Sequence, residues 1–469
     1  MDYDRDCARW SAAAARAVKV TSAGLLVLVG LRATTACRSS VEAMASDTTA
    51  YQSDTTAYQV TIATSQAWAG GSLVLMSKGF RGADTVPLIL LGGDTLAMRY
   101  AAPDSLLASL PNTQGHFEVR VGFRGRAITL VGSVDLYGGD SDAWTTTPLA
   151  GVPVVWPNRS GTTFLMAADA GVALIDLSLR TIVRVIPDSM IDVSCVNGIG
   201  PASGGRIAVM YRTFNTCGPN LAVRPDSPSA VPDTGPPRWV QVNSEVRFLV
   251  RLGAGHWLAA YHHGVESEFR DSTGAWLIPA TAYHVEEPYR AVISPSGDRA
   301  VVLGYDGGTQ KGLPVWGPTS REPLYMVNVA NHLWGAQFSD DGDTLFIAGW
   351  AQGADTLVLA ALKASDGTVL RSAGCPTNGF DLANLVLDPG RPWFYLVGHT
   401  DGYPYQLKVR VVDRATLTLV GTFGKVATFY NGDAYPILSA AERKLYVVDN
   451  CSFCYPAAPQ HVFTFDLMP

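Results

Sequence analysis

Short apolar runs separated by tight polar turns recur along most of this chain. Two copies align closely: Ala291-Val-Ile-Ser-Pro-Ser-Gly-Asp-Arg-Ala-Val-Val-Leu-Gly-Tyr305 and Ala336-Gln-Phe-Ser-Asp-Asp-Gly-Asp-Thr-Leu-Phe-Ile-Ala-Gly-Trp350, whose serines Ser294 and Ser339 stand 45 residues apart. Weaker copies fall at 154–166, 200–210, 248–258, 385–395 and 436–446. With Pro157, Pro201, Gly253, Pro295, Asp340, Pro389 and Ala440 as turn markers, the steps are 44, 52, 42, 45, 49 and 51 residues. Each run is short, rich in Val, Ile and aromatics, and cut by Pro or Gly, which reads as strand and excludes helix.

Several copies are followed by a second hairpin, as at 172–185, 357–370 and 409–420. Each step therefore holds four strands, A to D, and four strands of about 5–6 residues with their turns fill such a length. A strand-built repeat of this period predicts a β-propeller of seven blades over 143–469. Asp366-Gly367 predicts a tight hairpin turn, because both positions tolerate positive φ. The last step shows strand C at His461–Leu467 and no strand D, so the outer strand is expected to be missing or to be supplied from near 143–149, which would pair the two ends of the ring. On these phrases the chain resembles, from Trp144 to Pro469, the YVTN/WD40-like propeller repeats of bacterial envelope proteins. That resemblance implies a fold and not an activity.

Upstream the pattern changes. Gly70-Gly-Ser-Leu-Val-Leu-Met-Ser-Lys-Gly-Phe80 leads from a glycine turn into an alternating strand, and further strands read at 87–91, 97–100, 117–123 and 127–137. An all-β segment over 58–138 with a turn every ten residues or so suits a small sandwich. Together with Gly115-His-Phe-Glu-Val-Arg-Val121, the phrase resembles IPT/TIG immunoglobulin-like domains, which implies a spacer or adhesion module. The expected fold class is thus all-β: a seven-bladed β-propeller preceded by a small Ig-like β-sandwich and an N-terminal signal segment.

That segment is 1–37. Arg9, Arg16 and Lys19 precede the apolar run Leu25–Leu31, and Thr34-Thr-Ala-Cys37 follows. This order resembles a bacterial lipoprotein signal, with Cys37 the lipidated residue. Ordinary secretion and a membrane-anchored helix stay open beside it, although the run is short for a bilayer. Residues 38–57 form a flexible linker, rich in small polar residues and carrying most of a tandem copy, 46–52 and 53–59. In an exported chain Cys195 with Cys217, and Cys451 with Cys454, are disulfide candidates; a Cys-x-x-Cys without a second pair or a nearby His is a weak zinc signal. Cys375 is left over.

Composition narrows the class further. Hydrophobic residues make up 47% and charged ones 16%, with 46 Gly and 28 Pro, an ordered and turn-rich balance. A net charge of −6 gives no basic footprint, so nucleic acid is not an expected partner. No nucleophile elbow, His-Glu-x-x-His, Walker loop or calcium loop is present, and no cofactor, metal or catalytic residue is assigned. Propeller ligands gather at the upper mouth, where B strands end and incoming loops arrive. The candidates there are Asp169, Tyr211, His262, His263, Tyr305, Trp350, His399 and Asp449, flanked by Arg212, Asp306 and Asn450, with Tyr289, Arg290, His332, Trp334 and Tyr435 on incoming loops. Aromatic faces with a few hydrogen-bonding groups suit a glycan, peptide or protein. The expectation is a monomeric, lipid-anchored binding or scaffold protein of the envelope or outer membrane. The alternative is a lactonase, lyase or dehydrogenase using His262, His263, His399 and Asp449 at the same mouth.

Overall fold

The computed structural model describes residues 60–469 apart from loop segments, the longest of which are 78–86, 187–195, 212–220, 226–237, 240–247 and 451–460. Among the described residues every helix-or-strand element is a strand. Val60–Ile62, Ser72–Ser77, Ser105–Ser109 and Met98–Ala102 form one sheet in that spatial order. Gln66–Trp68, Thr129–Tyr137, Gly115–Gly122, Leu88–Leu91 and Asp94–Thr95 form a second. Alternation places Leu73, Leu75 and Leu106 of the first against Val119, Val121 and Val134 of the second in one buried cluster. Ser105–Ser109 did not stand out in the sequence, because Ser-Leu-Leu-Ala-Ser alternates weakly and contains no β-branched residue.

The remaining strands form antiparallel four-stranded meanders at 151–186, 196–239, 248–283, 286–327, 332–376 and 380–429. The last comprises Asp433–Ser439, Lys444–Asn450 and His461–Asp466, and it is completed by Asp142–Thr145 from the other end of the chain. Asp142 pairs with Thr464 and Thr145 with His461, as a strand supplied from 143–149 would. First strands of successive meanders lie side by side, and the last meander meets the first through Lys444–Asn450 and Gly151–Pro157. A series of such meanders, each the neighbour of the next and closed by pairing of its ends, is a β-propeller.

The repeated turns owe their shape to a buried hydroxyl. Ser294 Oγ accepts from the amides of Asp298 and Arg299 at 3.2 and 3.0 Å, and donates to Asp298 Oδ1 at 2.7 Å. Ser339 Oγ likewise accepts from Thr344 N at 2.9 Å. Gly297 and Gly342 take φ of 73° and 77°, which a Cβ would oppose. In the turn between strands C and D, only Gly367 takes the left-handed conformation, at φ 74°, and donates to the Lys363 carbonyl at 2.8 Å. The tight turn expected at Asp366-Gly367 is present, with the positive φ carried by Gly367 alone. Asp366 instead uses its carboxylate, accepting from Thr368 N at 3.0 Å and Lys363 Nζ at 2.7 Å. Leu417 stands at the matching place one meander on, with φ 57° and its amide on Asp413 O at 2.9 Å.

The sandwich is packed against the propeller. Trp68, 2% exposed, stacks on Phe423 at 5.9 Å and meets Trp393 and Tyr395 edge-on at 5.4 and 5.9 Å. The Asn112 amide donates to Gly424 O at 2.9 Å and accepts from Gly424 N at 3.2 Å, standing in for a neighbouring strand along the outer strand Leu419–Phe429. Glycine allows the approach: a Cβ on Gly421 would lie 2.4 Å from Trp68 Cβ. These contacts fix the orientation of the sandwich on the propeller, and the segments expected as a signal, 1–37, and as a linker, 38–57, lie outside the described residues.

Candidate functional site

The upper face of the ring is where second strands end. Tyr211, Tyr305, Trp350 and Asn450 are the last residues of Arg206–Tyr211, Ala300–Tyr305, Thr344–Trp350 and Lys444–Asn450, and His399 is one short of the end of Trp393–Thr400. Asp449 pairs with Ala434 one step before the end of its strand. Tyr289 and Arg290 lie within Glu286–Ile293, His332 and Trp334 within His332–Phe338, and Tyr435 within Asp433–Ser439. These five were expected on incoming loops, and the strands begin earlier than the apolar pattern suggested. Asp169, Arg212, His262, His263 and Asp306 lie outside the described residues, as do Cys37, Cys195, Cys217, Cys451 and Cys454.

One junction gathers several of these positions. Strand Ala300–Tyr305 pairs not only within its own meander but across to the next: Gly304 stands opposite Leu333 and Tyr305 opposite His332. His332 is in turn opposite Trp350. Directly opposed residues of antiparallel strands project to the same face, so His332 and Trp350 form one cross-strand pair, and Tyr305 holds the adjoining register position on the neighbouring meander. Trp334 lies against the His332 ring, with centroids 4.4 Å apart and a tilt of 33°. Trp334 and Trp350 are both half-buried, with part of each indole on the apolar cluster that includes Leu357 and Phe380. Burial pushes the His332 imidazole down to about 4, so it is neutral at pH 7 and presents an uncharged aromatic face.

His399 is placed differently. It is 7% exposed, its Nδ1 donates to the Thr400 carbonyl at 3.0 Å, and its Nε2 is 3.8 Å from Asp381 Oδ2, too long for a hydrogen bond. Asp381 and His399 are directly opposed in register, a pairing that could not be read without knowing which strands meet. A second feature absent from the sequence reading involves the same meander. Arg410, 5% exposed, donates from Nη1 to Pro376 O at 2.9 Å and from Nη2 to Thr377 O, with its guanidinium 4.4 Å from the Phe380 centroid. The Cys375 thiol accepts from Nη1 at 3.9 Å. Burial lowers the Arg410 pKa from its ordinary value, and Cys375 opposes that shift. This cation fastens meander 332–376 to meander 380–429.

Chemically, the junction is a stacking surface with little charge. Among the described residues no three His, Cys, Asp or Glu converge as they would around a metal ion.

No protein-family model matches the sequence, and no curated protein does either. Solved structures do match. A chain of the mitotic checkpoint complex is 11% identical, over 71% of this chain and 93% of that one, with a TM-score of 0.51. The Myceliophteria thermophila Cps50 (Swd1) β-propeller domain is 11% identical over 70% and 100%, with a TM-score of 0.47. KlHsv2, with its loop 6CD replaced by a Gly-Ser linker, is 11% identical over 64% and 90%, with a TM-score of 0.47. At such identity the likeness is one of fold.

Proposed function

We propose that this chain is a binding or scaffold protein whose recognition surface is the upper mouth of a seven-bladed propeller, centred on the junction of meanders 286–327 and 332–376. The observation that carries the reading is the cross-strand pair His332–Trp350 with the Trp334 ring beside His332. Half-buried indoles are held in place by the core beneath them and lose little side-chain freedom on contact with a ligand, which is what an anchor for a glycan, peptide or protein segment requires. Asp169, Tyr211, His262, His263, His399 and Asp449 are the further contributors around the ring. The Ig-like sandwich carries this propeller at the cell envelope, tethered through the linker to a lipidated Cys37. The basic and apolar order of residues 1–37 supports that placement.

The test of recognition is an array of glycans and extended peptides probed with the wild-type chain, Trp350→Ala and His332→Ala. Loss of one aromatic anchor is expected to weaken the best ligand about tenfold, from stacking worth ~0.5–1.5 kcal/mol beyond burial. Undiminished binding by both variants would move the site elsewhere. The anchor is tested apart from the mouth: palmitate-analogue labelling in a bacterial host is expected for the wild type and lost in Cys37→Ser, and an unlabelled wild type would remove it.

A further inference from the structure

The closing strand of the ring is Asp142–Thr145, and only four residue pairs join it to His461–Asp466. So short a strand at a sheet edge holds poorly by itself. It is, however, the direct continuation of the sandwich, whose strand Thr129–Tyr137 ends just before the connecting residues 138–141. The sandwich is fastened to the strands that the closing strand must meet. Gly138 N donates to Asp466 O at 2.9 Å, at the far end of the strand that Asp142–Thr145 pairs with. Gly138 has φ 91°, and a Cβ there would lie 2.4 Å from the Phe423 ring. Phe423 is 5.1 Å from Phe465 and stacked on Trp68, so one aromatic cluster ties the sandwich to both meander 380–429 and the closing meander.

We propose that the docked sandwich is a clasp on the ring: it holds the closing strand at high effective concentration beside His461–Asp466, and undocking it opens the propeller at that seam. With the sandwich docked, the connection 138–141 is too short for the closing strand to stray. With the sandwich free, the same strand is tethered to a mobile body and its local concentration falls steeply with reach. The rest of the seam is the small cluster of Ala173, Ile175 and Leu177 against Ile437, Tyr446 and Val448, with Ser178 donating to Glu442 at 2.5 Å. Other meanders, each continuous in sequence with its neighbours, have no such dependence.

Hydrogen exchange of the full chain, read by mass spectrometry on peptides, tests this with Trp68→Ala, Gly421→Ala and Asn112→Ala. The last keeps the aromatic cluster intact should either of the others fail to fold. The peptide bearing Gly138 reports docking. As it loses protection, amides of 142–145 and 461–466 are expected to exchange at least tenfold faster, with 344–350 and 356–363 unchanged. Three results would overturn the clasp: a seam that stays protected while Gly138 opens, acceleration of all sheets together, or unchanged protection throughout in every variant that folds.

Discussion

Arg443→Ala is expected to lower the free energy of unfolding by ~3–5 kcal/mol, because it strands a carboxylate that water does not reach. Asp388 has no exposed surface, and its two oxygens accept from Arg443 Nη1 and Nη2, each at 2.8 Å. Tyr395 donates to Oδ2 at 2.7 Å; burial, and then the Asp388 charge, raise that hydroxyl's pKa above its ordinary value. The hydrogen bonds that Arg443 donates to Asp388 oppose burial and raise the Arg443 pKa, so the guanidinium stays charged. Arg443 also donates from Nε and Nη2 to the Met468 carbonyl at 2.9 and 2.7 Å, tying down the chain after the last strand. The turn position of Asp388 is held by Ser294, Ser339 and Ser439 in other copies. Asp388→Ser combined with Arg443→Ala therefore removes the buried charge along with its partner. The double variant is expected to be more stable than Arg443→Ala alone, with a coupling of ~2 kcal/mol or more between the two sites in denaturant titrations. Additive losses, or a cost for Arg443→Ala below ~1 kcal/mol, would show that the carboxylate is solvated after all.

Asp388 also marks where the sequence could and could not be read. The strand–turn–strand period, the Ser-Pro-Ser-Gly-Asp phrase and the aromatics at strand ends all lie within a dozen residues of one another, and local pattern resolves such features. That position 388 carries Asp where its siblings carry Ser is plain in the alignment of copies, but its partner lies 55 residues on. Trp68 was invisible for the same reason: its neighbours Trp393 and Phe423 are more than 300 residues away. The Tyr305–His332 pairing joins two meanders that the period alone treats as separate units. Leu417 shows the opposite failure. It holds a left-handed conformation where the preceding copy uses Gly367, because its side chain, 2% exposed, belongs to the apolar cluster around Phe380 and Phe394. Burial there outweighs a backbone cost of about 1 kcal/mol, and a rule for turn residues would have placed Gly.

Acidification is expected to weaken the fold through His332 at the centre of the proposed site. Its imidazole titrates at about 4 in the folded chain, against 6.5 for a solvated ring. Burial is the cause, with the Trp334 ring on one side and the Trp350 position across the ladder. Between those two pH values the unfolded chain takes up a proton that the folded chain does not, so stability falls as pH drops from about 6.5 to 4 and changes no further from this residue below that. Above 6.5 both states hold a neutral ring and the contribution is constant. The full difference is on the order of 3 kcal/mol. Denaturant titrations at pH 7.5, 5.5 and 4 are expected to show His332→Phe losing less stability than the wild type over that span, while the two differ by a constant above pH 7. A ring that is wetter than its burial implies would give parallel curves throughout. The same titration bears on recognition, since a proton on His332 would place a charge in an otherwise uncharged aromatic surface. Ligand affinity should hold from pH 8 to 6 and decline as pH approaches 4, and His332→Phe should retain more of it there.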